Sequence, residues 1–185
     1  VASTLLPAVW RELALLALGV TSWVATPRAV HEQNAFSFAP MAEAALLFAG
    51  LFVCLVPIEI SLARLAPALP LREPWQLFWG SGLLSAVLDN APTYAAFAAL
   101  ARGLSAAHGE AHLIAGMTEA RLIAISAGSV VMGATTYIGN APNLVIKSLA
   151  ERAGFSLPSF FRFALFALLV MLPAHLVVTA LLSAW

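Results

Sequence analysis

Two short polar clusters interrupt otherwise apolar runs of this 185-residue chain: Leu88-Asp89-Asn90-Ala91-Pro92-Thr93, and Thr135-Thr136-Tyr137-Ile138-Gly139-Asn140-Ala141-Pro142-Asn143. Asp89 supplies a carboxylate, which inside a low-dielectric interior can hold a cation or carry a proton, but not both at once. Asn90, Asn140 and Asn143 each offer one oxygen acceptor and two N–H donors, and Thr93, Thr135 and Thr136 add hydroxyls, so the set can serve either sign of ion. A carboxylate at membrane depth costs on the order of 3 kcal/mol when it faces lipid, so Asp89 is expected to face a cavity or a partner. The competing explanation is structural. Asn, Asp and Thr cap helix starts by about 1 kcal/mol without any ligand. Capping does not explain why apolar helices are interrupted at all, and two such interruptions together point to a polar cavity between them. Asp89, Asn90, Thr93, Thr135, Thr136, Asn140 and Asn143 are therefore the candidate ion or substrate site, with Glu43 and Gly139 as additional candidates.

The elements that position these residues are helices. The apolar blocks are too long, and too apolar on every side, for the strands of an outer-membrane barrel. The expected order, within a single transmembrane domain over 1–185, is a helix at 8–26, a helix at 40–66, a re-entrant hairpin at 74–102, an interfacial segment at 103–119, a broken helix at 120–151 and a helix at 159–185. As one helix, 74–102 would run about 43 Å against a hydrocarbon core of about 30 Å, whereas folded at Asp89–Pro92 each arm would reach about 22 Å, past the midplane without crossing. A single tilted helix kinked at Pro92 is the plainer alternative. In the broken helix, glycine admits non-helical backbone and Pro142 suits the first turn of a restarting helix. At each break the preceding half-helix ends in carbonyls that suit a cation, and the following one starts with N–H groups that suit an anion. Trp10 and Trp23 are expected interfacial anchors.

Composition agrees with a membrane protein: 62% of residues are hydrophobic and 10% are charged, against about 25% charged in soluble domains. Nine basic and nine acidic residues cancel, which leaves no electrostatic footprint for nucleic acid. With 74–102 folded back, Arg11, Arg64, Arg72, Arg102 and Arg121 fall on one side and Arg28, Lys147, Arg152 and Arg162 on the other, so the positive-inside rule does not orient the chain. The chain contains no phosphate-binding G-x-x-x-x-G-K-[ST] loop, so transport would run on ion gradients or on a separate motor. No cofactor is expected beyond transported sodium or protons, and no metal other than transported sodium.

Other chemistry-bearing residues have blander readings. Glu43, just after Pro40, complements a helix N-terminus, and Glu59 follows Pro57 near a helix end. His108 and His112 stand four apart but without a further zinc ligand in view. His175 reads as a packed or interfacial histidine rather than a proton relay, and Cys54 as a small core hydrophobe. A membrane hydrolase built on Ser85 or Thr93 with His175 lacks an activated nucleophile, so enzymatic function is not expected.

Leu88 to Thr93 and Thr135 to Leu144 resemble the ion transporter superfamily, and within it the citrate transporter and sodium:proton antiporter group. Glu43 to Phe52 and Pro158-Ser159-Phe160-Phe161 are similar to that group as well. The resemblance implies an all-α integral membrane fold, half of an inverted-repeat secondary transporter, with a re-entrant helical hairpin and a discontinuous transmembrane helix. It implies Asp89, Asn90 and Thr93 at the hairpin tip, Thr135, Thr136, Asn140 and Asn143 around the unwound turn, and the Pro27–Pro40 and Arg152–Ser159 loops in the cytoplasm. Such a transporter has a first half that this sequence lacks. The chain would then be a fragment, or one of two chains. The expected partners are the lipid bilayer, a small ion or anion, the missing N-terminal half and a second copy in a homodimer, in a bacterial inner (cytoplasmic) membrane. The expected function is ion-coupled secondary transport, first as sodium:proton antiport. The alternatives are coupled uptake of citrate or another small anion, arsenite-type efflux, and a structural subunit without transport activity.

Overall fold

The fold is known from a computed structural model that describes residues 8–34 and 37–184. Pro7 and Trp185 lie outside them. Among the described residues there is no strand, only one isolated bridge between Ile114 and Met117. The helices are α1 (Ala8–Ala25), α2 (Arg28–Gln33), α3 (Ala39–Leu65), α4 (Pro74–Ser85), α5 (Asn90–Ala107), α6 (Glu119–Val131), α7 (Ala141–Arg152) and α8 (Phe160–Ser183). Short 3-10 turns follow α3 at Ala66–Ala68 and α6 at Met132–Thr135.

The helix starts follow local chemistry. Pro74 opens α4, where its missing N–H is no loss, and Gln76 Oε1 reaches back to accept from the N–H groups of Arg72 (2.8 Å) and Glu73 (3.0 Å). Asp89 caps α5, Asn140 precedes α7 with Pro142 in its first turn, and Ser159 precedes α8.

Two segments are long and apolar enough to cross a membrane, Met41–Ala68 and Phe160–Ser183. The core helix of a soluble protein would pass the same test, but it would be buried. Here only 6% and 11% of the respective apolar windows are buried, and Leu46, Val53, Phe161 and Phe166 stand fully out. Apolar stripes of this length need lipid or another apolar surface.

The chain divides into two compact units, one up to Leu47 and one from Phe48. In the first, Trp23 stacks on His31 and meets Phe38 edge to face. The second unit holds the core: Leu77, Phe78, Leu100, Leu104, Met117, Ile125, Met132 and Leu182. Its centre is the α4–α6 contact. Gly128 of α6 leaves no room for a Cβ against Ser81 and the Phe78 carbonyl, and Gly82 of α4 none against Met132. Small residues bring the two backbones together, as is usual where lipid supplies no hydrophobic drive between helices. α5 returns beside α4, Phe97 lying over Gly80, and it does not stop at Gly103: that residue, without a side chain, lets α5 press against the Ala63 carbonyl and Ala66.

The stretch after α5 is pinned by a buried cation. Arg121, 3% exposed, donates to Ser105 Oγ (3.1 Å), faces His108 Nδ1 (3.1 Å) and pairs with Glu110 (2.8 Å). His108 is thereby taken up by a structural clamp.

Candidate functional site

The first break lies between α4 and α5, at Ala86–Asp89. The second runs from Met132 to Asn140, between α6 and α7. The two breaks touch. Gly139 of the second is the point of closest approach: a Cβ there would lie 2.7 Å from the Ser85 carbonyl oxygen, 2.9 Å from that of Ala86 and 2.6 Å from that of Gly133. Gly133 in turn has no space for a Cβ against the Asn90 amide.

Hydrogen bonds stitch the breaks together. The Asn90 amide looks onto three oxygens, Ser85 Oγ (2.9 Å), Ser129 O (2.8 Å) and Gly139 O (3.3 Å), which places its nitrogen on that side as donor. Ser85 Oγ donates to the Ser129 carbonyl. Thr136 Oγ1 donates to the Ala86 carbonyl and accepts from Gly139 N–H (2.9 Å). Asn143 Nδ2 donates to the carbonyls of Gly133 (3.2 Å) and Thr136 (3.0 Å). Thr135 Oγ1 donates to the Met132 carbonyl. Tyr137 ties the second break to the rest: its ring stacks on Phe163 of α8 at 4.0 Å and its hydroxyl donates to the Pro158 carbonyl.

The expected site residues thus divide. Asn90, Thr136, Asn143 and Gly139 meet at one junction, with Thr135 beside it in the second break. Asp89 is half-buried, and its carboxylate accepts from Asn90 N–H at 2.8 Å, a bond within its own helix start. Thr93 is fully buried and its Oγ1 has no hydrogen-bond partner. Asn140 is half-buried and makes no capping bond with its side chain. Glu43 is exposed and belongs to the first unit.

Three groups at the junction did not stand out from the sequence. Ser85 was weighed only as a nucleophile, and Ser129 and Gly133 not singly. The readable signal was small-residue spacing, Ser81–Ser85 on α4 and Ser126–Ser129–Gly133 along α6 and its extension, which marks faces where backbones approach.

Chemically the junction is rich in oxygen. The Ser85 and Ala86 carbonyls close α4, the Gly133 carbonyl sits in the 3-10 turn, and the N-termini of α5 and α7 follow each break. A shallow cleft of about 360 Å³, walled by Asn90, Ala91, Tyr94, Ser126, Ser129 and Val130, opens at the start of α5. A larger cavity of about 630 Å³ belongs to the first unit. Its walls include Leu15, Leu16, Trp23, His31 and Phe38, and none of the candidate site residues. The smaller cleft borders the junction through Asn90 and Ser129.

Residues 2–183 match the model of a family described as "Putative citrate transport". The chain belongs to that family. No curated protein and no solved structure matches it. As a member of a citrate transport family with two long apolar helices exposed, it is a membrane protein of transport class.

Proposed function

We propose that this chain is part of an ion-coupled secondary transporter whose ion site is the junction of the two breaks. The observation that carries the reading is the convergence of the Ser85, Ala86 and Gly133 carbonyls around Gly139. Carbonyls at the ends of interrupted helices supply the oxygen shell that a dehydrated sodium ion needs, without a counter-charge that would hold it permanently. α4 and α5, about 18 Å and 27 Å long, are each shorter than a hydrocarbon core of about 30 Å, which supports a re-entrant hairpin with Asp89 near its tip. α6 and α7 would be the two halves of a discontinuous helix. An inverted second repeat, from the missing N-terminal half, would complete the pocket in a bacterial inner membrane.

In the first reading the chain exchanges sodium for protons. Asp89 would be the proton-carrying group, its carboxylate accepting from Asn90 N–H at the start of α5 beside the junction. The family match favours a second reading, in which sodium or proton entry drives uptake of citrate. The N-terminal N–H groups of α5 and α7 would then face the carboxylates, since the described residues place no lysine or arginine among the junction contacts.

Reconstituted vesicles separate the two. Under antiport, a sodium gradient moves protons in the absence of citrate, and Asp89→Asn abolishes the exchange. Under citrate uptake, radiolabelled citrate accumulates only with the coupling ion present. Absence of both activities in the complete transporter, with no thermal stabilisation by sodium, lithium, citrate or arsenite, would leave the structural-subunit alternative.

A further inference from the structure

His175, in the second half of α8, is 0% exposed, and neither of its ring nitrogens has a hydrogen-bond partner. Its ring is wedged against two aromatic side chains of α4, Phe78 at 6.1 Å between centroids and Trp79 at 6.0 Å, both nearly edge to face. Beside it a polar chain fastens the two helices: Trp79 Nε1 donates to Thr179 Oγ1 (2.9 Å), which donates to the His175 carbonyl (2.8 Å). That chain passes the imidazole by.

A neutral imidazole carries one N–H and one lone pair, and both are stranded here. Nothing outside can pair them while the α4–α8 seam is shut, because the atoms have no accessible surface. Nor do the elements in closest contact bring a counter-charge. α4 (Pro74–Ser85) and the 3-10 turn Met132–Thr135, which make the most contact with α8, contain no Asp, Glu, Lys or Arg; Tyr137 of the second break meets α8 at Phe163, about 18 Å along the helix from His175, and the charged residue of α8 itself is Arg162, about 20 Å along it. An imidazolium in this position would be a buried charge without a partner, which a dry interior does not tolerate.

We propose that His175 is a proton-binding site gated by the α4–α8 seam: the closed seam admits only the neutral ring, water entering the opened seam lets a proton bind to the imidazole, and closure returns that proton to the departing water. Acid therefore holds the seam open and alkali closes it. The inference does not depend on which ion the chain transports.

The full chain in lipid nanodiscs carries its own reporter. Acrylamide quenching of the tryptophan emission that Trp79→Phe removes reads access to the seam at pH 8 and pH 5, the range in which a hydrated histidine changes charge. In the unmodified chain this component is shielded at pH 8 and becomes quenchable at pH 5. His175→Phe, which fills the same place with an apolar ring, loses the pH dependence, stays shielded at both values and unfolds at no lower a temperature than the parent at pH 8. His175→Gln, which keeps polar atoms but takes up no proton, also loses the pH dependence, and decides the matter if the Phe variant does not fold. A quenching response that is flat with pH in the parent, or one that survives in the variant that folds, overturns the proposal. So does a folded Phe variant that melts well below the parent, since that would mean the ring nitrogens are paired.

Discussion

Gly139→Ala tests whether the two breaks meet as closely as described. A Cβ at this position would lie 2.6, 2.7 and 2.9 Å from three backbone oxygens, those of Gly133, Ser85 and Ala86. Carbon and oxygen do not rest below about 3 Å, and these oxygens belong to backbone that cannot rotate away as a side-chain tip would. Inserting a methyl group into such packing costs about 1–3 kcal/mol. The loss of glycine's freedom in the unfolded chain offsets about 0.4–1 kcal/mol of that, since the backbone at 139 is not in the left-handed region. At mid-range the net expectation is a loss of about 1.3 kcal/mol, or a fall of roughly 3–5 °C in melting temperature for a chain of this size. Gly50→Ala in α3 is the control: nothing lies within 4 Å of its Cβ, and alanine favours helix over glycine by about 1 kcal/mol, so its melting temperature holds or rises. Both variants are read by thermal unfolding in detergent. If Gly139→Ala melts with Gly50→Ala, the carbonyls do not converge there, and the ion site proposed above goes with them.

Thr136→Val keeps the shape of the side chain and removes the hydroxyl that joins the breaks, stranding the Ala86 carbonyl and the Gly139 N–H; at about 1–3 kcal/mol per stranded group, it should destabilise by about 2 kcal/mol or more, while Thr136→Ser restores stability. Arg121→Ala leaves Glu110 without its buried partner and should cost about 3 kcal/mol, whereas Lys147→Ala, which breaks a more exposed pair with Glu151, should stay within about 0.5 kcal/mol; equal effects in chemical denaturation would contradict the burial of Arg121.

How far the architecture could be read in advance depended on what each residue does to a helix. Proline preceded by asparagine in an apolar run announces a restart, and α5 and α7 do start around Asn90 and Ala141. The end of α4 at Ser85 was not announced, because Ala86-Val87-Leu88 would continue a helix in isolation; the Ala86 carbonyl is instead met by a tertiary partner, Thr136. Gly103 reads as a breaker, yet α5 runs on to Ala107, because its absent Cβ serves a close approach to Ala63 rather than a turn. At the site, amides and hydroxyls are visible by type, but carbonyl oxygens belong to every residue and carry no letter in a sequence. The convergence of Ser85, Ala86 and Gly133 on Gly139 could only be seen in three dimensions.

The breaks are joined by amide, hydroxyl and backbone groups, and Asp89 spends its carboxylate on the start of its own helix. At the proposed site, binding strength would therefore come largely from partial charges at helix ends, each worth roughly 0.3–1 kcal/mol near a surface and more where water is excluded. A site of this kind holds an ion only while the ends point at it. Moving α4 by a small distance relative to the second break would separate the Ser85 and Ala86 carbonyls from that of Gly133 without breaking any side-chain ion pair. α8 touches both parts, the second break through Phe163 on Tyr137 and α4 through Thr179 on Trp79, so with α6 it is one of the two elements across which such a displacement would be taken up. Release at the proposed site would then need the helix ends to part, whatever proton Asp89 takes up, and a packed seam between α4 and α8 either permits or forbids that.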